Sequence, residues 1–416
     1  FVQILVLDNE SAGQPGSLEG SLNMAFGFGR IGDSVYGVAE FQTQPDGKIL
    51  IAGGFNAAEY SNSGSLARLQ ADGSPDLGFD PRIAGNVWAM LLEPDGKIVI
   101  GGEFTAVHGI PRANLARLNA DGSLDDSSMA EPGWSVKRLA RQPDGRLLVC
   151  GNLGDWEPNY LRRLNAEGRW DTNFNDAVFH SFSRSHPVSV RVILVQPDGK
   201  ILVGGTFAKV NETPLQSLAR LNSDGSLDPS FHPFIWGENH VVTVYALTLQ
   251  SDGRIVVGGS FPTLGGIPRS DVARLHPDGL LDATFDTSTQ PRRSVYACAI
   301  QPDGKVVVGG TFGLDTTNPR NLVRLNADGS LDTSFSAGSG AGSIGVRALA
   351  LRPDGDLLIG GGFDSVNGLP RRFMARINGG VARPVLQPPA RLANGGLRIT
   401  AVGLEAGWPL ALQAST

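Results

Sequence analysis

Cysteine is scarce: Cys150 and Cys298 are the only two in 416 residues, too few for a disulfide framework in a chain this long. Both stand where other copies of a repeated strand carry small or apolar residues, so each is expected to be a buried thiol packed as a small hydrophobe. An excess of basic charge is absent too. Lys plus Arg is 35 against 41 for Asp plus Glu, the net charge is -6, and charged residues make up 18% of the chain. A nucleic-acid binder needs a basic face to neutralise phosphates, so no nucleic-acid partner is expected. No apolar run reaches the roughly 18 residues that span a bilayer, so no membrane insertion is expected. No window carries a helix-period apolar face. The opening Phe-Val-Gln-Ile-Leu-Val-Leu lacks an initiator Met and a basic flank, a poor match to a signal peptide. It reads as an extra strand or as the stub of a cut precursor.

Glycine, in contrast, is abundant at 55 residues, about twice the usual frequency of roughly 7%. Its distribution is periodic. One phrase recurs seven times: an apolar strand, then Pro-Asp-Gly or a close variant, then an aliphatic run ending in Gly-Gly-x-Phe or similar. The Asp of the turn falls at Asp46, Asp95, Asp144, Asp198, Asp252, Asp303 and Asp354, so the copies are 49 to 54 residues apart. A second phrase follows each, as in Leu322 to Phe335, with its own Asp-Gly turn at Asp72, Asp121, Asp224, Asp278 and Asp328, and Glu167-Gly168 in the third copy.

Each unit reads as four short strands, A to D, punctuated by turn residues. Four strands in about 50 residues are the mark of a propeller blade. In Gln-Pro-Asp-Gly-Lys and Asn-Ala-Asp-Gly-Ser, Pro or Ala suits the first corner of a type I turn, and Gly takes the left-handed position of a three-residue hairpin loop. That loop length sets the register of C against D. It places Arg68 opposite Asp76, Arg117 opposite Asp125, Arg163 opposite Asp171, Arg220 opposite Asp228, Arg274 opposite Asp282 and Arg324 opposite Asp332, each pair contributing about 0.2 to 1 kcal/mol. An Asp used identically in every copy is expected to serve the blade's own structure rather than chemistry.

The expected fold is therefore all-β, a seven-bladed β-propeller of four-stranded antiparallel blades. Copies one to six carry all four strands, while copy seven stops after strand C. Glu19 to Phe26 matches Asp328 to Phe335 position by position, so the N-terminal strand is expected to join the last blade and close the ring. Asn23 then stands where the other copies have Asp, and Arg376 is expected to lose its ionic partner. The domain reading is an N-terminal extension (1–19), the propeller (20–380), a Pro/Gly-rich linker (381–392) and the start of a truncated β-sandwich-like module (393–416) with strands near Leu397 to Val402 and Trp408 to Ser415. The chain thus reads as part of a longer multidomain protein.

The repeated Pro-Asp-Gly-Lys, Gly-Gly-x-Phe and Ala-Arg-Leu-Asn-x-Asp-Gly-Ser-Leu-Asp phrases resemble the delta-60 repeat family of bacterial proteins over about residues 20–380. The resemblance implies a β-propeller in large secreted or surface-attached proteins, hence an extracellular or cell-surface location. It implies no activity that transfers residue by residue.

Both Asp-Gly hairpins belong at one end of the blades, which leaves the long B to C and D to A connections at the other. Such loops on a rigid scaffold are where binding groups tend to be placed. His108, His180, His186, His232 and His240 fall there, as do Trp134, Trp156 and Trp236. Six residues before the turn proline, or Ser251 in its place, the copies also carry Trp88, Lys137, Arg191, Tyr245, Tyr296 and Arg347, with Ala39 in the first. Two readings fit this position. It forms either a collar at the channel mouth, able to stack on a sugar or pair with an anion, or bulky side chains that plug the centre of a wide ring.

The expected binding residues are Trp88, Lys137, Arg191, Trp236, Tyr245, Tyr296, Arg347, His180 and His240. No catalytic residue, metal or cofactor is expected. The histidine spacings match no ligand motif, and no nucleophile elbow, Walker loop or HExxH occurs. Gly-Gly closes a strand and opens no helix, so close packing of blades explains it better than phosphate binding. The functional expectation is a non-enzymatic secreted or cell-surface scaffold that engages a glycan or protein ligand through its long-loop face. The alternatives are a metal-assisted lyase or hydrolase using His180, Glu238 and His240, and a structural spacer of a surface protein.

Overall fold

The computed structural model describes Pro15 and residues 38–53, 65–127, 129–154, 156–182, 187–233, 242–261, 263–264, 266–288, 294–311, 321–335, 345–352, 354–363, 365–366, 369–371 and 373–380, plus strand pieces between 385 and 402. Among the described residues there is no helix, and so none long and apolar enough to cross a membrane. The protein is an all-β, seven-bladed propeller.

Strand A of blades 1 to 7 is Val38–Thr43, Ile83–Leu92, Ser135–Arg141, Ser189–Val195, Thr243–Leu249, Val295–Ile300 and Val346–Leu351. Strand B is Ile49–Gly53, Ile98–Val107, Leu147–Asn152, Ile201–Thr206, Ile255–Ser260, Val306–Gly310 and Leu357–Gly361. Strand C is Leu66–Leu69, Leu115–Leu118, Asn159–Leu164, Leu218–Leu221, Val272–Leu275, Leu322–Leu325 and Met374–Ile377. In each blade, B lies between A and C, antiparallel to both. B is buried on both faces because a neighbouring blade covers each, so it reads as an unbroken aliphatic run rather than an alternating one. Strand A of each blade contacts strand A of the next, and that of blade 7 returns to blade 1. Phe41, Ile49 and Ile51 of blade 1 share one core cluster with Leu358 and Met374 of blade 7.

The Pro-Asp-Gly turns have the expected geometry. Gly47 sits at φ 85°, Asp46 accepts from the Lys48 amide, and the same Asp-to-amide bond recurs from Asp95 to Asp354. The recurring Asp is a turn residue.

Strand D is shorter than expected. In the first six blades it keeps one β-bridge to C, as between Leu325 and Leu331. The aspartate then ends it, because Asp332 Oδ1 accepts from both the amide and the hydroxyl of Ser334 and folds the chain into a turn. A longer outer strand occurs in blade 3, where Ala177–His180 pairs with C and then with Lys209–Val210 of blade 4, so one sheet runs across two blades.

The predicted Arg–Asp pairs form in blades 1, 3, 4, 5 and 6, at 2.7 to 2.9 Å. Each of these arginines also stacks over the Phe that ends its D segment (Phe79, Phe174, Phe231, Phe285, Phe335), 4.5 to 4.8 Å from the ring centre. Each donates as well to the segment just after strand C of the following blade, at the carbonyls of Ala120, Ser223, Pro277, Ala327 and Gly379. A single guanidinium thus holds its own blade and the next.

Blade 2 departs from the expected pairing. Arg117 bonds Glu93 at 2.8 Å, and Asp125 takes Lys97 at 2.6 Å. Blade 2 has Ser128 where blades 1, 3, 4, 5 and 6 have Phe, so Arg117 has no ring to lie on, and Glu93 replaces the Gln found at that site in most copies. A second cation on the D aspartate is general: Lys48, Arg146, Lys200, Arg254 and Lys305 reach theirs from the end of the A–B turn.

In blade 7 that cation is replaced by Asp356, and the expectation that Arg376 lacks an ionic partner is corrected. Its guanidinium bonds Asp356 at 2.7 Å and Asp354 at 2.9 Å. The carboxylate has moved from strand D to the start of strand B. Ser21 to Phe26 lie outside the described residues, but Pro15 lies where a Cβ on Gly380 would strike its ring. Of the segment read as linker, Val385–Leu386 and Ala390–Arg391 pair with Ala401–Val402 and Leu397–Arg398.

Candidate collar at the inner strands

Every strand A carries a β-bulge at the same place, and that of blade 2 has a second register shift between Ala84 and Gly85. The register of A against B skips Ala39, Trp88, Lys137, Arg191, Tyr245, Tyr296 and Arg347 in blades 1 to 7. These are the seven positions singled out from the sequence. A bulge leaves one residue unpaired and re-aims its side chain, which explains why this position is free to vary while its neighbours are not.

The bulge also accounts for Gly-Gly on strand B. The first glycine faces the next blade: a Cβ on Gly258 would lie 2.5 Å from Val295 Cγ1, and Gly204 and Gly309 meet Val244 and Val346 in the same way. The second faces its own strand A, where a Cβ on Gly102, Gly151, Gly205, Gly259 or Gly361 would run into the carbonyl of Asn86, Ser135, Ser189, Thr243 or Gly345, just before the bulge. Blade packing was the expected cause; clearance for the bulge is the second.

The collar side chains meet from blade to blade. Lys137 Nζ lies 5.3 Å from the Trp88 ring centre and 2.6 Å from Glu103, whose carboxyl burial pushes up but Lys137 and Ser135 hold below the ordinary value. From blade 4 to blade 7 the contacts are continuous. Arg191 lies over Tyr245 at 5.9 Å, Tyr245 meets Tyr296 edge-on at 5.1 Å, and Arg347 lies over Tyr296 at 4.9 Å. Arg191 and Arg347 are exposed, and neither has a carboxylate partner among the described residues.

One residue further along strand A, most blades carry Ala or Val, but blade 1 has Glu40 and blade 3 has Arg138. Glu40 and Gln42 reach the open inner edge of strand A in blade 2, bonding the amides of Met90 and Leu92 and the Met90 carbonyl. Burial pushes the Glu40 carboxyl up to about 7, against the opposing pull of Arg138. Arg138 donates to the carbonyls of Arg191 and Lys137. Burial lowers its pKa, Glu40 opposes that, and the like charge of Arg191 adds to it.

Of the other candidates, His180 is not with the collar. His180 ends the outer strand Ala177–His180, opposite Lys209. Trp236, Glu238 and His240 lie outside the described residues. His108 sits in a hairpin turn with Nε2 3.1 Å from the Gly122 carbonyl of its own blade, while the His232 amide bonds the Asp278 carbonyl and so ties blade 4 to blade 5. Trp134 is a core residue rather than part of an exposed face, while Trp156 is exposed. Among the described residues, no three His, Cys, Asp or Glu side chains group to hold a metal ion. Burial pushes both thiols, Cys150 and Cys298, up to about 12, consistent with inert packing.

The B to C connections are more regular than expected. Four are small hairpins: 104–111, 207–214, 261–268 and 363–370. Each is pinned by a buried Phe and by a buried Val or Leu three residues later, as with Phe104 and Val107. That recurring Phe-x-x-Val/Leu was the overlooked signal. At the opposite, turn end of the blades, a cleft of about 210 Å³ lies between Pro143-Asp144 and Pro197-Asp198.

The backbone resembles solved propellers. A catalytically inactive virginiamycin B lyase from Staphylococcus aureus, with quinupristin, matches at TM-score 0.50 and 11% identity, over 85% of this chain and 98% of that one. The WD40 propeller domain of Doa1 matches at 0.47 and 14%, over 82% and 96%. PorZ, a surface component of the type-IX secretion system of Porphyromonas gingivalis, matches at 0.45 and 13%, over 89% and 51%. At these identities the likeness shows the fold alone. No curated protein sequence matches significantly. One family profile, described as a β-propeller domain of unknown function (DUF5122), matches seven times, at residues 44–79, 93–127, 142–174, 196–231, 250–285, 301–335 and 352–379. Those seven matches fall one to a blade and together cover more than half of the sequence, so the chain belongs to the DUF5122 β-propeller family.

Proposed function

We propose that the protein is a non-enzymatic secreted or cell-surface binding scaffold that engages a glycan or protein through the long-loop face of the propeller. The observation that carries this reading is the sevenfold bulge. An identical frame holds seven positions at the inner strands, and six of them carry Trp, Tyr, Lys or Arg. Aromatic and basic side chains on a rigid element suit recognition, since little conformational entropy is lost when a ligand docks on them. Trp236 and His240, from the D to A connection beside Tyr245, are assigned to the same face, and His180 to its outer margin. The repeat phrases favour the delta-60 group, whose surface-attached members give the location. Two tests apply: a glycan array, and capture of surface proteins. Each compares the wild type with Tyr245→Ala and Trp236→Ala. Loss of one ligand in both variants, with unchanged thermal unfolding, supports the reading; unchanged binding in both rejects this face.

A further inference from the structure

We infer that the ligand of the collar is an acidic saccharide, bound through carboxylates by Arg191 and Arg347 with the Tyr245–Tyr296 pair between them. This deepens the binding reading above and rests on it. The protein as a whole is acidic, with a net charge of -6, yet the collar concentrates uncompensated positive charge. Of its three cations only Lys137 has a carboxylate partner among the described residues, Glu103. Arg191 and Arg347 are exposed and lie on tyrosine rings at 5.9 and 4.9 Å. A guanidinium resting on an aromatic face is oriented without having its N–H groups used, so they stay available for a bidentate bond to a carboxylate.

Arg138 strengthens the case. It donates to the Arg191 backbone carbonyl from the preceding blade, and its own charge is opposed by burial and by the like charge of Arg191, with Glu40 the one carboxylate that offsets them. An anion bound there relieves that repulsion. Blades 4 and 7 are as far apart as two blades of a seven-membered ring can be, so one small anion does not serve both arginines. A chain with repeated carboxylates does. Trp88, Tyr245 and Tyr296 favour sugar over acidic peptide, because pyranose C–H groups gain from aromatic edges and faces between the charges.

The test is titration calorimetry of the full chain with trigalacturonate, with a neutral trigalactoside, and with a tri-aspartate peptide. Wild type is compared with Arg191→Gln, Arg347→Gln and the double variant. Each single change is expected to weaken trigalacturonate binding about ten- to a hundredfold, the range for losing one charge-assisted contact. Added salt is expected to weaken it further, and thermal unfolding should not move, since neither arginine has a carboxylate partner among the described residues. Equal binding of the neutral sugar, indifferent to both substitutions, overturns the acidic assignment but leaves a glycan scaffold standing. Tighter binding of tri-aspartate through the same arginines overturns the saccharide. No binding of any of the three overturns the inference; the array and capture experiment then decides the scaffold reading separately.

Discussion

Replacing Asp282 with Asn removes one charge from the blade-5 clamp and leaves its shape. Asp282 is 1% exposed. Its Oδ2 accepts from Arg274 at 2.7 Å and lies 3.3 Å from Arg254, and its Oδ1 accepts from the Thr284 amide and hydroxyl. Burial pushes the carboxyl up, but the bonds from Thr284 and Arg274 outweigh it and hold the pKa at about 2, down from 3.8. At 1.36 kcal/mol per unit, the ionised form gains about 2 to 3 kcal/mol from the fold. Because the folded value is depressed, this contribution is complete above the unfolded value of 3.8. It fades as pH falls towards 2. Asp282→Asn should therefore lower stability by about 2 kcal/mol at pH 7, measured as the urea midpoint by tryptophan fluorescence, and by progressively less between pH 4 and pH 2. Asp278→Asn, on the exposed C–D turn of the same blade, is the control and should cost about 0.5 kcal/mol. A gap between Asp282→Asn and wild type that stays constant from pH 7 to pH 2.5, or a loss no larger than the control's, would refute the clamp.

Three further outcomes are expected. Asp356→Lys, which restores the residue type of the other blades, removes a carboxylate from Arg376 and should destabilise by about 3 kcal/mol; adding Asn23→Asp should recover much of this if the N-terminal segment closes blade 7 in the register read from the sequence, and no recovery would exclude that register. Gly259→Ala drives a methyl group into the Thr243 carbonyl and should cost at least about 2 kcal/mol, with a thermal midpoint equal to wild type as the contrary result. Burial raises the Glu40 carboxyl from its ordinary 4.5 to about 7; the folded state keeps its proton longer, so stability falls by up to about 3 kcal/mol between pH 4.5 and pH 7, and Glu40→Gln should flatten that slope in melting curves at pH 5 and pH 8.

Much of the fold was legible because its information is local. The Pro-Asp-Gly loops fix the hairpins within five residues, and loop length alone places Arg324 opposite Asp332. The collar was legible for a related reason: a bulge frees one position per copy, so comparing copies finds it without a structure. What escaped depends on contacts between units. Nothing within one copy says that Arg274 reaches the Ala327 carbonyl of the next blade, or that Lys305 joins Arg324 on one aspartate. Arg117 followed its nearest acid rather than its register because blade 2 lacks the phenylalanine that holds the others in place. Strand D was read too long because Asp332 was counted as a strand residue, although its side chain competes with the ladder for the backbone.

The forward reach of the strand C arginine bears on how such a molecule can grow. Blades 4, 5 and 6 each offer this side chain in one direction and present a carbonyl to the preceding arginine in the other, so a newly duplicated copy of one of them arrives with both halves of its joints already encoded. Gene duplication then needs no matching mutations on either side of the insertion.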